Sequence, residues 1–232
     1  MAEAYTVMPL SAMRKAIAAR MSEAKRTIPH FRLIVDIEVD ALFELRQEIR
    51  KSHPEENVSL NDLFIKACAL ALKEVPALNV QWADTAIHQY SSADISVVMA
   101  VEGGLSSPII RHAESKSVLA ISREITELNA RAERNTLKME EIVGGTFSFS
   151  NLGMYGVEQF DAIINPPQCA IAAVGAAKRR LVVSSQRELR IATLVRLTLS
   201  VDHRAIDGAV AAAFLSALRT GLEQPEHLRP TQ

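Results

Sequence analysis

The sequence predicts an α/β fold, a mixed β-sheet flanked by helices, on three observations. Short apolar or alternating runs of strand length recur at 31–39, 95–101, 146–150, 169–174 and 194–201. Segments with apolar residues at helical spacing lie among them, at 11–26, 42–49, 60–71, 118–128 and 210–222. The two kinds interleave without a strict βαβ beat, which points to a mixed rather than an all-parallel sheet. No repeat or low-complexity linker divides the 232 residues, so one domain over 1–232 is expected, long enough to bury a sizeable core.

Taken in order, residues 11–26 place Met13, Ile17 and Met21 on one side and Arg14, Lys15, Arg20, Lys25 and Arg26 around the rest. This is an amphipathic helix opened by Ser11, and Pro29 ends it. Its basic face reads most simply as a solvated surface. The run 31–39 is rich in β-branched residues and forms a strand, after which Asp40 is expected to cap a helix carrying Leu42, Leu45 and Ile49. Ser59-Leu60-Asn61-Asp62 resembles a capping box with Asp in place of Glu, and Pro76 closes the helix it opens. The apolar run 95–101 predicts a strand buried on both faces, turned by Gly103-Gly104 toward Pro108-Ile109-Ile110. Val118, Ile121, Ile125 and Leu128 define the next helix, which runs out in the polar stretch 131–138. In 146–150, Phe147 and Phe149 alternate with Thr146, Ser148 and Ser150. Val195, Leu197, Leu199 and Val201 alternate with Arg196, Thr198, Ser200 and Asp202, the period of a half-buried strand.

Composition removes several classes. The formal net charge is −1 and no long lysine/arginine block occurs, against a nucleic-acid partner. No apolar stretch approaches the roughly 20 residues of a membrane span. Cys68 and Cys169 lie in apolar segments without paired spacing and read as reduced, buried thiols of a cytoplasmic protein. The histidines are scattered, with no metal-ligand pair, so no metal is expected, and no G-x-S-x-G elbow supports a serine hydrolase.

The richest chemistry lies in Asp202-His203-Arg204-Ala205-Ile206-Asp207-Gly208, between the last alternating strand and a helix carrying Val210, Phe214, Leu215, Leu218 and Leu222. If strand geometry persists, His203 shares the apolar parity and points inward, with Asp207 near the helix start. Histidine titrates closest to neutral pH, so a pre-oriented one is a natural general base. The residues leave two readings open, a hydrogen-bonded core histidine and a base. Ser150, at a strand end before Asn151-Leu152-Gly153, offers a fixed hydroxyl donor or forms a simple strand-end turn. Gly103-Gly104 lacks the GxGxxG or Walker spacing and reads as a turn at least as readily as a ligand cradle.

With these residues in view, the chain closely resembles the catalytic (core) domain of dihydrolipoamide acyltransferases of 2-oxo acid dehydrogenase complexes. The matching segments are Pro9-Leu10-Ser11 through Arg20-Met21, Ile28-Pro29-His30-Phe31, Ser59-Leu60-Asn61-Asp62, Phe149-Ser150-Asn151-Leu152-Gly153-Met154, Ile163-Ile164-Asn165-Pro166-Pro167-Gln168 and the His203 motif, in order across about 7–225. The resemblance implies the chloramphenicol acetyltransferase-like fold and a homotrimer with active sites between subunits. It implies acyl transfer between an S-acyl-dihydrolipoyl carrier and coenzyme A. In that reading His203 is the base toward the coenzyme A thiol, and Ser150 of a neighbouring subunit donates to the oxyanion. Asp207 holds the histidine loop through an arginine, for which Arg14 is the candidate. Gly103, Gly104, Ser150 and Asn151 would lie against coenzyme A, and the lipoyl group would arrive on another domain or chain. A thiol and an imidazole differ by about two pKa units, so the proton transfer costs roughly 2.7 kcal/mol, within reach of a positioned base.

Two departures stand out. Many members of that family carry a Thr-Pro-Asp-Gly-Leu turn where this chain has Val101-Glu102-Gly103-Gly104-Leu105-Ser106-Ser107-Pro108. Members also usually carry lipoyl and subunit-binding domains, which are not present in these 232 residues. The chain is expected to be either an excised core or a free-standing homologue. The polar ending Glu226-His227-Leu228-Arg229-Pro230-Thr231-Gln232 predicts a trimer that builds a higher cage weakly or not at all. Two other functions remain open, acetylation of a small-molecule acceptor and a non-catalytic trimeric scaffold.

Overall fold

A computed structural model describes residues 5–102, 104–184 and 186–230. Eleven strands and five α-helices follow in the order α1 (Ala12–Thr27), β1 (His30–Glu38), α2 (Asp40–Ser52), α3 (Leu60–Glu74), β2 (Val80–Ala83), β3 (Ala86–Gln89), β4 (Ile95–Val97), β5 (Met99–Val101), β6 (Gly104–Ser106), β7 (Ile109–Ile110), α4 (Val118–Glu133), β8 (Phe147–Asn151), β9 (Ala170–Val174), β10 (Lys178–Val183), β11 (Leu189–Asp202) and α5 (Gly208–Glu223) among the described residues. The main sheet runs β1-β11-β9-β8-β4-β7, with β10 also on β11. It is mixed, because β4–β8 and β8–β9 are parallel and the other pairs antiparallel.

The helix starts follow the capping chemistry. Ser11 and Ser117 accept the N–H groups of Arg14 and Ala120, and Ser59 with Asp62 forms a full capping box. Asp40 departs from expectation. Its carboxylate accepts the Thr193 N–H at 2.7 Å, tying α2 to β11, and Val39 precedes the helix without a side-chain cap.

One face of the sheet carries the main core. Phe149 meets Phe64 of α3 and Phe147 meets Phe214 of α5, with Leu197, Leu199 and Val201 alongside, all buried. The opposite face carries Ser96, Ser148, Ile171 and Ser200 in one register row, covered by Ala24 of α1, by Ile28 just after that helix and by Ile164. β11 is therefore buried on both faces over Thr198–Asp202, where alternation predicts a half-buried strand. The polar residues of the second face are short and fit under a second layer, so burial there needs no apolar side chain.

The run 95–101 does not continue as one strand. Val98 donates its N–H to Phe149 at 2.9 Å, and Met99–Val101 leaves the main sheet to pair with Gly104–Ser106 as a separate hairpin. Of the long run, only Ile95–Val97 is buried throughout.

Candidate active site

The turn after β11 is over-determined. The Asp202 carbonyl accepts the N–H groups of Ala205 and Ile206, each at 3.0 Å, and the His203 N–H donates to Pro29 at 3.2 Å. His203 itself is exposed, its ring centroid 5.0 Å from that of Phe31 and tilted by 60°. The inward-pointing expectation is corrected in burial but not in side. Phe31 pairs with Val201 on the core face, so the imidazole lies on that side, and because β11 stops at Asp202 the next residue sits on a turn at the rim.

Asp207 is the N-cap of α5, its Oδ1 accepting the Val210 N–H at 2.9 Å. The expected Asp207–Arg14 link is not made within one protomer. Asp207 instead fixes the start of α5, the element that follows the histidine turn, while Arg14 sits in the first turn of α1, under the Ser11 cap.

Ser150 lies near the end of β8 and is 8% exposed. The Asn151 side chain holds the bend behind it, accepting the Gly153 N–H at 2.7 Å and donating to Asn61 Oδ1 at 2.7 Å. These bonds make Asn151 a local brace. Gly153 is required by space, because a Cβ there would come within 2.8 Å of the Gly175 carbonyl oxygen.

Within one protomer Ser150 and His203 are not brought together. Ser150 alternates with Phe147 and Phe149, so it belongs to the face opposite the Phe31 side. It pairs with Ala173, which pairs with Thr198. Asp202 lies four residues further along β11, about 13 Å at strand rise, and two strands across.

Gly103 lies outside the described residues. A Cβ on Gly104 would come within 2.7 Å of Met13 Sδ and 3.1 Å of Ile17 Cδ1, so this glycine allows α1 to approach the β5–β6 hairpin.

Sequence reasoning assigned no role to four further residues at the site. Asp202 and Arg204 form a fork beneath the turn, and Arg204 stacks on Trp82. His30, quoted only as part of a motif, has both ring nitrogens used: Nδ1 donates to the Ile28 carbonyl at 2.9 Å and Nε2 accepts the Ile164 N–H at 3.1 Å. The tautomer follows from these partners. His30→Ala leaves the fully buried Ile164 amide unsatisfied and is expected to destabilise the fold by about 1–3 kcal/mol, read as a lower urea midpoint at constant m. Among the described residues, no group of three or more His, Cys, Asp or Glu could hold a metal ion, and no helix is long and apolar enough to cross a membrane.

The chain matches the family described as 2-oxoacid dehydrogenases acyltransferase (catalytic domain) over residues 2–229. It belongs to that family. Among the acyltransferase relatives, the dihydrolipoyllysine-residue acetyltransferase component of the pyruvate dehydrogenase complex of Rickettsia felis is 45% identical over 226 residues, 96% of this chain and 55% of that protein. The same component from Zymomonas mobilis is 49% identical over 223 residues, 95% of this chain and 50% of that protein. The chain thus spans about half the length of the curated relatives it matches. A probable dihydrolipoamide acetyltransferase from Listeria monocytogenes superposes with a TM-score of 0.90 at 35% identity, covering 95% of both chains. The dihydrolipoamide acetyltransferase of Azotobacter vinelandii superposes at 0.93 and 27% identity, covering 98% of this chain and 95% of that one. Its crystallographic and enzymatic investigation concerned a serine, a histidine and an asparagine in its catalytic mechanism. A chloramphenicol acetyltransferase shares the fold, with a TM-score of 0.54 at 11% identity over 91% of this chain and 95% of that one.

Proposed function

We propose that this acyltransferase domain moves an acyl group between an S-acyl-dihydrolipoyl carrier and coenzyme A, in a homotrimer whose active sites form between subunits. The observation that carries the reading is the separation of Ser150 from His203. One is a hydroxyl on a braced strand end and the other an exposed imidazole on a rigid turn, on opposite faces of the sheet. Each is half of an acyl-transfer site, and a second copy supplies the complement.

In this reading His203 takes the proton of the coenzyme A thiol as its sulfur attacks the thioester carbonyl carbon. The Ser150 hydroxyl donates to the oxyanion that forms, without acting as a nucleophile. On collapse the carbon–sulfur bond to the dihydrolipoyl group breaks, and His203 returns the proton to the departing sulfur. No covalent enzyme intermediate is needed. The same reading places coenzyme A against Ser150, Asn151 and the Gly103-Gly104 turn, with the lipoyl group carried in on another domain or chain. The buried free cysteines support a reducing, cytoplasmic setting, burial pushing both thiols up to about 12.

Acetyl transfer from acetyl-CoA to free dihydrolipoamide tests the function, with chloramphenicol as the alternative acceptor. Ser150→Ala is expected to lower kcat by about 10²–10³, the loss measured for single oxyanion donors, at unchanged assembly mass by light scattering. Mixing Ser150→Ala with His203→Ala chains under exchange conditions is expected to recover part of the rate, since a shared interface then holds one intact serine and one intact histidine. No recovery in a verified mixed assembly would place both residues in one subunit's site and sink the intersubunit reading.

A further inference from the structure

Asp202 is 1% exposed, and a lone carboxylate there would be strongly disfavoured. Arg204 answers it at two points: Nε lies 3.0 Å from Oδ1 and Nη2 lies 2.7 Å from Oδ2. The Arg204 backbone N–H adds a further bond to Oδ1 at 3.0 Å. The guanidinium carbon then sits 4.6 Å from the centroid of the Trp82 ring. The backbone of Trp82 is itself anchored, its amide N–H donating to the Pro167 carbonyl at 3.0 Å. A line of contacts therefore runs from the β2–β3 hairpin through a flat guanidinium to the carboxylate of Asp202. The carbonyl of that same residue closes the turn carrying His203. Neutralising one buried charge needs only a point cation. A two-pronged fork stacked on an indole restrains orientation as well, which an ammonium group cannot do.

We infer that Arg204, gripped between Trp82 and Asp202, is a positioning residue that sets the His203 imidazole for proton transfer. This rests on His203 as the base. Displacing a base by about 1 Å is enough to slow a reaction by about 10²-fold, so loosening the grip reads out in turnover before it reads out in binding.

The test compares kcat and KM for coenzyme A in four variants of the full chain, Arg204→Lys, Trp82→Phe, Trp82→Leu and His203→Ala, each with its thermal midpoint. Arg204→Lys keeps the charge but loses the fork and the stack, and is expected to lower kcat about 10- to 100-fold with KM within about 2-fold. Trp82→Phe keeps an aromatic face and is expected to retain most of the parental kcat, while Trp82→Leu loses it as Arg204→Lys does. Should Arg204→Lys not fold, the Trp82 pair decides. If His203→Ala abolishes transfer while Arg204→Lys and Trp82→Leu turn over at the parental rate, the positioning role is overturned and the base assignment survives. Equal kcat losses in Trp82→Phe and Trp82→Leu that track their thermal midpoints overturn it as well. If His203→Ala itself keeps the parental rate, the functional reading fails first.

Discussion

His203→Ala is expected to lower kcat for acetyl transfer to dihydrolipoamide by about 10²–10⁴, the range supplied by a positioned general base. Stability should stay within about 0.5 kcal/mol of the parent, because the side chain is exposed and its ring contact among the described residues is with half-exposed Phe31 at the rim. The combination makes the prediction sharp, since a large loss of rate with an unmoved urea midpoint cannot be put down to unfolding. Adding Ser150→Ala to His203→Ala should slow the reaction little further, as groups acting in one step are strongly non-additive. Parental turnover in a folded His203→Ala protein would remove the imidazole from the chemistry.

Gly175→Ala is expected to destabilise the fold by about 3 kcal/mol or more, at or beyond the upper end of overpacking penalties. Gly175 follows β9, and its N–H donates to the Arg196 carbonyl at 2.9 Å. A Cβ there would lie 2.0 Å from the Glu158 carbonyl oxygen and 2.6 Å from its carbon. Both are backbone atoms, with no flexible end to swing away. The strand end or the 157–158 segment must move, and the Ala176–Val157 hydrogen bond at 2.7 Å lies in its path. The displacement reaches the site, because Leu152 donates to Val174 at 3.1 Å and Gly153 packs on the Gly175 carbonyl, both immediately behind Ser150. Activity should therefore fall with stability. Gly156→Ala is the matched control: its φ of +77° is strained for alanine, by about 1–2 kcal/mol, but nothing lies within 4 Å of the added carbon. A Gly175→Ala protein that melts at the parental urea midpoint would refute the close-contact account.

The local features were legible in the sequence because they are local. Ser11, Ser59 with Asp62, and Asp207 sit where their side chains reach the N–H groups three residues on, and each caps a helix. The Phe147/Phe149 alternation marked the core face of β8, and the apolar parity of β11 gave the side on which His203 emerges. Strands whose partners are remote were not legible. β10 opens with Lys178-Arg179-Arg180, which gives no apolar signal, and is held by pairing with β11 and by the Arg180–Glu158 and Arg180–Asp36 ion pairs. The start of β11 at Leu189 is set by the same pairing, six residues before the alternation begins at Val195. The break at Val98 depends on where the Phe149 carbonyl stands across the sheet.

The sequence by itself determined the fold class and most of the helix starts, since these are written in spacing over a few residues, and its motifs singled out His203, Asp207 and Ser150 as candidates. Only the tertiary structure decided that His203 is exposed, that Asp207 caps a helix without meeting Arg14 in its own protomer, and that a buried Asp202 fork underlies the turn carrying His203. It alone also set Ser150 and His203 on opposite faces. The reason is geometric: sheet register and layer packing join residues tens to more than a hundred positions apart, and no local period encodes which of them meet.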